Sequence, residues 1–387
     1  MDTILVINAG SSDLRFQIYS VEGEGRLRQQ LKGRMDGIGR CPRLRVGRAG
    51  GSPLANRAYP VEAVPDIPAA MDIAGAWLRD ELHIHPVAVG HRVAHGGAEH
   101  DRPVLIDHGV MDRLERLTAF APLHLPHNLA PIRSILASFP KLPQVACFDT
   151  AFHRTHAAVA DHYAIPRTLY AEGVRRYGFH GLSYEYIAKT LSTVAPDIAM
   201  KRVIVADLGS AASMCALSGG RSVESTMGFT AIDPGVLLYL ISEKGMAASE
   251  VQRFLDADCG LKGLSGISGD MRQLEASEDA SAKFAIDYFV YRIGLNTGML
   301  VAALQGLDAF VFTAGVGENS ALIRSRVAEQ LGWLGVKLDL TENALQSQLI
   351  SSPASRIPVY VVRSDEDLMI ARHTLALLMN GSSMAPS

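Results

Sequence analysis

The sequence contains few cysteines and no run of positive charge. Its 387 residues include four cysteines, which stand far apart and form no CxxC pair: Cys41, Cys147, Cys215 and Cys259. Cysteines without disulfide or metal spacing are typical of reduced thiols, so they favour a cytoplasmic protein. The net charge is −3 and no dense Lys/Arg tract occurs, which argues against a nucleic-acid partner or an anionic membrane surface.

Long hydrophobic runs and a secretion signal are also missing. The first apolar run, residues 4–7, follows Asp2 without a basic stretch and is too short for a signal peptide. The most apolar later segment, 298–316, is broken by Gln305 and Asp308, so we expect a core helix and a strand there, not a membrane span. An apolar fraction of 48% in 387 residues predicts two well-packed domains.

A glycine-rich stretch near the C-terminal end is the first positive signal. Residues 310–313 predict a buried strand, and AGVG at 314–317 predicts a tight turn that a ligand can approach closely. A helix is then expected from 318–320 onward, through Leu331. A strand, a glycine turn and a helix N-terminus can bind phosphate or nucleotide through unpaired N–H groups. An ordinary strand-to-helix connection is the alternative for this stretch alone.

A hairpin with a small polar turn occurs twice, about half the chain apart. Alternating strands flank NAGSS at 8–12, and a similar pair of strands flanks DLGS at 207–210. The two copies predict a duplicated α/β unit, with both turns facing one cleft where they could hold a polyphosphate from two sides. A plain hairpin is the alternative for each copy taken separately.

Charged residues on predicted strands are candidates for a binding site. Arg92 lies on an otherwise apolar strand, where a buried cation favours an anionic substrate group over a structural ion pair. Asp149 ends the strand predicted at 144–149, where it would face an α/β crevice.

Two further segments also carry groups suited to phosphate chemistry. His180 lies in a basic, aromatic loop at 175–181 and could stabilise phosphoryl charge, with a core or capping histidine as the alternative. Acidic residues at 365–367 precede the last predicted helix. They predict either a helix cap or an Mg²⁺ site.

Eight segments of the sequence follow the order seen in one known family. They lie at residues 8–12, 90–97, 121–124, 147–153, 175–181, 225–230, 263–266 and 312–320. Through these segments nearly the whole chain resembles the acetate kinases, in the superfamily that also contains sugar kinases and actin. Chance would not place so many matches in this order.

The resemblance implies an α/β fold of duplicated ribonuclease-H-like (actin-like ATPase) domains with a nucleotide in the central cleft. The N-terminal acetokinase domain would cover 1–147, completed by a C-terminal helix at 368–387, and the nucleotide-binding domain would cover 148–367. The resemblance also implies a homodimer. The implied reaction is reversible transfer of the ATP γ-phosphoryl group to acetate or another short-chain carboxylate, with Mg²⁺ or Mn²⁺ as the metal.

The resemblance further implies roles for individual residues. Asn8 and Glu366 would hold the metal, and Arg92 would bind the carboxylate. The catalytic residues would be Asp149 as an acid/base or metal-organising group, His180 as the group that stabilises the phosphoryl, and His124 nearby. The residues that would surround ATP are Arg15, Asp207, Leu208, Gly209, Ser210, Ala211, Asp270, Met271, Arg272, Gly315, Val316, Gly317, Glu318 and Asn319.

The departures from the family lie on the phosphate side. In the first turn, Asp13 and Arg15 stand where the family usually has serine and lysine. Asp13 would present a negative charge to the phosphates unless Mg²⁺ or Arg15 neutralises it, and Arg15 keeps the charge of lysine without its geometry. In the second turn, Ala211 replaces a family glycine and restricts the backbone.

The largest departure follows Thr230. The family has a further segment there, with an arginine thought to stabilise the transition state, whereas this chain continues directly to Ile232. Losing such an arginine can lower a rate by about 10³–10⁵-fold, and Arg15 and Arg272 are the candidates to replace it. Two hypotheses follow: a working carboxylate kinase, or a degenerate relative that binds nucleotide or acyl phosphate with little catalysis. A polyol kinase is a weaker third.

Overall fold

The computed structural model describes residues 2–227 and 232–382, which form two β-sheets with helices on their faces. The strands are β1 Thr3–Ala9, β2 Asp13–Glu22, β3 Arg26–Asp36, β4 Arg43–Arg48, β5 Pro53–Ala58, β6 Ala88–Val93, β7 Val104–Leu105, β8 Gln144–Phe148, β9 Val203–Asp207, β10 Ser213–Ser218, β11 Arg221–Ser225, β12 Ala309–Thr313 and β13 Val359–Val361. The α-helices are α1 Ile67–Asp80, α2 His108–Arg116, α3 Leu125–Ser138, α4 Arg167–Ala171, α5 Gly181–Val194, α6 Pro196–Ala199, α7 Pro234–Ser242, α8 Ala248–Ala257, α9 Gly260–Ser265, α10 Met271–Glu275, α11 Ala280–Leu304, α12 Ala314–Asn319, α13 Ala321–Gln330, α14 Leu340–Ala344 and α15 Glu366–Ser382. Within these two ranges, no helix combines the length and apolar character that crossing a bilayer requires.

The two sheets share one strand order. The first has the order β5-β4-β3-β2-β1-β6-β8-β7, and the second has the order β11-β10-β9-β12-β13. In each sheet three adjacent antiparallel strands, β3-β2-β1 or β11-β10-β9, are followed by two strands that join them in parallel. The order β3-β2-β1-β6-β8 is therefore repeated as β11-β10-β9-β12-β13, which confirms the predicted duplication. Strands β4, β5 and β7 extend the first sheet at its edges.

Both predicted hairpins are present, and their turns lie where strands end. Asn8 pairs with Arg15 across the first hairpin, and Asp207 pairs with Ser213 across the second. The parallel neighbour β12 ends beside the second turn, because Thr313 pairs with Asp207. The repeated sheets thus bring polar turn residues to equivalent strand ends.

Helix α15 follows every strand in sequence but packs on the first sheet. Met369 and Ile370 are fully buried in a cluster that also contains Ile4 of β1 and Cys147 of β8. Gly90 permits this packing, because a Cβ at that position would clash with Ile370 and with the hydroxyl of Thr374. The glycine on β6 is therefore required by the close approach of α15 to the strand.

The glycine-rich stretch is helical, which corrects the predicted turn at 314–317. It forms the short helix α12, and the expected long helix is the separate α13, capped by the Ser320 hydroxyl, which accepts from Ile323 N at 3.1 Å. Only Ala314 makes a turn, with a left-handed φ of 63° directly after β12. The glycines provide a close approach between backbones, because Gly317 N donates to Leu208 O at 3.2 Å.

Candidate active site

Four predicted site residues meet at the ends of the first sheet's central strands. Arg92 on β6 forms a two-pronged ion pair with Asp149, which follows β8: Nη2 lies 2.6 Å from Oδ2 and Nε lies 3.1 Å from Oδ1. Arg92 Nη1 lies 3.4 Å from Asn8 Oδ1, and Nε lies 3.7 Å from Glu366 Oε2. Asn8 Nδ2 also donates to Glu366 Oε1 at 3.2 Å. The structure therefore brings Asn8, Arg92, Asp149 and Glu366 into one contact network.

The Arg92–Asp149 pair is the electrostatic centre of this network. The Asp149 side chain is 1% exposed, whereas the Arg92 side chain is 25% exposed. Burial acts to lower the pKa of Arg92, but the charges of Asp149 and Glu366 outweigh it and raise that pKa. The guanidinium is therefore a permanent cation with one edge held by Asp149 and with Nη1 against Asn8 Oδ1.

His180 lies beside this network in an unusual backbone conformation. Its φ is 57°, in the left-handed region that Asn, Asp and His tolerate better than most residues. The next residue, Gly181, donates N–H to Asp149 O at 2.9 Å, and a Cβ there would clash with that oxygen. The glycine thus ties the His180 loop to the backbone of Asp149.

Serines connect His180 to Asp207 on β9. His180 Nδ1 lies 2.9 Å from Ser213 Oγ and 3.9 Å from Asp207 Oδ1, and Ser183 Oγ donates to Asp207 Oδ2 at 2.6 Å. Burial raises the pKa of Asp207, with His180 and Ser183 acting against the rise. His180 Nε2 makes no hydrogen bond to any described residue, so this nitrogen can face a ligand.

Glu318 is engaged by the backbone around α12. Its Oε1 accepts from Ala314 N at 2.9 Å and from Ser364 N at 3.1 Å. Ser364 Oγ in turn lies 2.7 Å from Ser183 Oγ, which links α12 to the partner of Asp207. The predicted nucleotide residue Glu318 therefore holds the strand end and the helix together.

The other residues predicted around ATP differ in what their side chains can reach. Leu208 and Met271 are buried in the core beneath the second sheet, so only their backbone atoms could contact a ligand. Asp270 caps α10 and pairs with Arg272 at 2.6 Å, and the Arg272 side chain is 89% exposed. Residues 209–211, in contrast, form an accessible turn after β9.

The structure shows how some of the residues that depart from the family pattern are accommodated. Asp13 does not present a lone charge, because Arg15 and Arg34 lie 3.3 Å and 3.5 Å from its Oδ2. Arg15 and Arg272 are both paired with neighbouring carboxylates. The departure expected after Thr230 falls on residues 228–231, which lie outside the described residues.

Asn8 and Glu366 carry oxygen atoms of the kind that a hard divalent cation prefers, although the Asn8 amide presents Nδ2 to Glu366 and Oδ1 to Arg92. They bring an amide and a carboxylate together, and Mg²⁺ in phosphoryl transfer needs only one or two protein carboxylates besides phosphate and water oxygens. Across residues 2–227 and 232–382, no three His, Cys, Asp or Glu side chains converge as a metal site. Oxygen donors of this kind suit a metal that arrives bound to phosphate.

Comparisons with known proteins agree with this geometry. The model of the acetokinase family matches residues 3–372. The chain belongs to the acetokinase family. It is 69% identical to an acetate kinase of Nitrobacter hamburgensis, covering 99% of this chain and 98% of the relative. Similarity at this level gives no support to the degenerate alternative.

Solved structures of the family have the same fold. A propionate kinase of Francisella tularensis superimposes with a TM-score of 0.90 at 31% identity, covering 97% of this chain and all of that one. An acetate kinase of Porphyromonas gingivalis gives a TM-score of 0.85 at 30% identity, covering 98% of this chain and all of that one. The fold expected from the sequence, two repeated actin-like units, is therefore confirmed.

Some residues near the site were not predicted from the sequence. Asn128 on α3 donates to Ala9 O at 2.8 Å and accepts from Ala94 N at 2.9 Å, which fixes the ends of β1 and β6. Asn128 lies four residues after His124, the residue that precedes α3, and this spacing places the two residues on the same side of the helix. That spacing could have indicated Asn128 from the sequence. Partial burial and then the charge of Arg92 lower the pKa of His124. The charge of Asp256 on α8 acts to raise that pKa.

Three buried histidines, His91, His95 and His153, are neutral in the folded protein at neutral pH. Burial lowers the pKa of His91 and His95 to about 4 and that of His153 to about 3. His91 Nε2 lies 2.8 Å from Gln144 Oε1, and His153 Nε2 lies 2.9 Å from Phe179 O. Since both partners are oxygen acceptors, His91 and His153 each carry the proton on Nε2.

These histidines should make the protein acid-sensitive. Below about pH 6.5 the unfolded chain binds protons that the folded chain excludes, so stability falls as the pH drops toward about 4. Burial raises the pKa of Asp367 to about 7, which acts in the opposite direction over this range. Each histidine contributes about 1.4 kcal/mol per pH unit in that window, so the three together should lower the free energy of unfolding in urea by about 4 kcal/mol between about pH 7 and about pH 5.5. His91→Gln should remove about a third of this difference. An unchanged pH difference in that variant would contradict the assignment.

Proposed function

We propose that the chain is an acetate kinase, which transfers the γ-phosphoryl group of ATP to acetate and gives acetyl phosphate and ADP, reversibly. One observation carries the proposal: Arg92, paired with Asp149, lies against Asn8 and Glu366 at the strand ends. A fixed cation for a carboxylate beside oxygen donors for a metal–phosphate is what this transfer requires.

Arg92 is proposed to bind the carboxylate of the substrate. Asp149 engages its Nε and Nη2, and Nη1 makes only the longer 3.4 Å contact with Asn8 Oδ1, so Nη1 is the nitrogen we propose for the substrate. Asp149 fixes the plane of the guanidinium and thereby the direction of the nucleophilic oxygen. Positioning of this kind supplies much of the catalysis in phosphoryl transfer, because the reaction needs an in-line approach.

His180 is proposed to stabilise the transferring phosphoryl group through its free Nε2. Ser213 orients the ring through Nδ1 at 2.9 Å, and His124 is proposed to add a polar contact nearby. Asn8 and Glu366 would hold Mg²⁺ or Mn²⁺, which supplies neutralisation of phosphate charge when bound. The protein's own part is to keep these groups in place before ATP arrives.

The nucleotide is proposed to lie between two domains. We assign 1–147, completed by 368–387, to the first domain and 148–367 to the second, with ATP against 207–211, 270–272 and 315–319. Packing of α15 on the first sheet supports this division. All four cysteines are free, in agreement with a cytoplasmic location.

A second copy of the chain is proposed to pack on α11. This helix exposes Phe284, Tyr288, Tyr291, Leu295 and Met299 on one face, each at least 45% accessible. An apolar stripe of this kind marks a protein interface more often than a solvated surface.

The homodimer should be lost when charge is placed in this stripe. Tyr291→Glu should convert a dimer into a monomer in light scattering coupled to gel filtration, because a buried unpaired carboxylate is costly. Val159→Glu is the control, since Val159 is exposed on a different part of the chain. A dimeric Tyr291→Glu protein would exclude this face.

A coupled assay tests the proposed function. Mg-ATP with acetate, propionate or butyrate should yield acyl phosphate, detected as hydroxamate, at a rate that an Arg92→Ala variant does not reach. The absolute rate measures what the missing segment after Thr230 costs, which can be about 10³–10⁵-fold without a compensating cation. No turnover above the Arg92→Ala background, in either direction, would overturn the proposal.

A further inference from the structure

Arg324 on α13 is completely buried, and no carboxylate of the described residues forms an ion pair with it. Its exposure is 0%. Its Nη1 donates to Gly317 O at 3.0 Å and Glu318 O at 2.8 Å, and its Nε and Nη2 donate at 2.7 Å each to Asn343 Oδ1 and Asn343 O. Every acceptor is neutral. Burial lowers the pKa of Arg324, and no charge acts against this.

A buried guanidinium without a counter-ion is costly, so its contacts need an explanation. Two of its acceptors, the carbonyls of Gly317 and Glu318, close the C-terminal end of α12. The last carbonyls of a helix have no partner within the helix, and a cation is the most favourable partner for them. Because Ala314–Asn319 is so short, the hydrogen bonds that Arg324 donates to its last carbonyls stabilise the whole helix.

The opposite end of α12 is fixed as well. Glu318 Oε1 accepts from Ala314 N at 2.9 Å, at the residue whose φ is 63°. Val316 N donates to Leu208 O at 2.7 Å, which ties α12 to the turn after β9. Helix α12 is therefore held by Arg324 at one end, by Glu318 at the other, and by β9 between them.

We propose that Arg324 is a positioning residue for the nucleotide, holding α12 against the turn after β9 so that its accessible backbone is ready to receive ATP. This proposal rests on the proposed function, in which 315–319 lie against ATP. Arg324 is buried beneath α12 and does not touch the ligand. Its loss should weaken ATP binding while leaving the carboxylate site on the first sheet intact.

Steady-state kinetics with Arg324→Lys test the proposal. Lysine keeps the charge but cannot reach both carbonyls of α12 and both oxygens of Asn343. We expect the KM for ATP to rise by about tenfold or more and the KM for acetate to stay within about twofold. Val327→Ala is the matched control, because it removes buried volume from the same helix without contacting α12 through hydrogen bonds.

Hydrogen–deuterium exchange supplies a readout without catalysis. In the ligand-free protein, the amides of 314–319 should exchange faster in Arg324→Lys than in the wild type, and should be unchanged in Val327→Ala. If Arg324→Lys does not fold, Asn343→Ala takes its place, since it frees one side of the guanidinium. The same changes, smaller in size, are then expected.

The results that would overturn the proposal are specific. An unchanged KM for ATP, an equal rise in both KM values, or unaltered exchange at 314–319 would each leave Arg324 a general stabilising residue. Failure of the wild type to bind ATP in calorimetry would instead count against the proposed function. In that case the exchange measurement still reports whether Arg324 holds α12.

Discussion

Arg92→Gln should reduce kcat/KM for acetate by about 10³-fold or more, because the carboxylate loses its cation and the reacting oxygen loses its direction. The same change should lower the free energy of unfolding by about 3–5 kcal/mol, since it leaves a buried carboxylate unpaired. That carboxylate belongs to Asp149, whose side chain is 1% exposed. The coupled acyl phosphate assay and urea unfolding measure the two effects separately.

A double variant separates catalysis from folding in this pair. Arg92→Gln combined with Asp149→Asn replaces the buried carboxylate by an amide of the same shape and the partly exposed guanidinium by a shorter amide, so much of the lost stability should return. Activity should stay at the level of Arg92→Gln. Recovery of activity together with stability would show that Arg92 serves the fold and not the substrate.

His180→Asn should lower kcat by about 10²–10³-fold with little change in the KM for ATP. The side chain proposed to meet the phosphoryl group is lost, whereas asparagine tolerates the left-handed backbone at this position. The free energy of unfolding should therefore change little.

His180→Ala is the matched variant for backbone strain. Alanine at a φ of 57° should add a destabilisation of about 1–2 kcal/mol to the same loss of kcat. A His180→Asn enzyme with normal kcat would remove His180 from the chemistry. Equal destabilisation of the two variants would contradict the role given to the backbone.

Local patterns predicted much of the fold. The hairpins around 8–12 and 207–210 were visible because alternation and small turn residues are short-range signals, and their repetition indicated the duplicated sheets. The glycine-rich stretch shows the limit. Its glycines predicted a turn, but the helix α12 depends on Glu318 and Arg324, whose contacts with its backbone cannot be read from composition.

The contacts among the residues around Arg92 could not be predicted from the sequence. Arg92 on an apolar strand required an anion, and the structure supplies one in Asp149 before any substrate binds. Pairing of these two residues depends on the parallel register of β6 and β8, in which Arg92 lies opposite Cys147. Ser213 and Ser364 were missed because a serine in a strand or loop has no distinctive sequence signal.

Packing of α15 on the first sheet has a consequence for biosynthesis. The face formed by Ile4, Val145 and Cys147 is covered by Met369 and Ile370, which leave the ribosome after every strand of both sheets. Domains usually fold in the order of synthesis. Here, however, all strands of the second sheet have been synthesised before the helix that covers the first sheet is made. The apolar face of the first sheet therefore stays exposed until α15 has been synthesised. Nascent chains stalled before Glu366 should bind chaperones through this face.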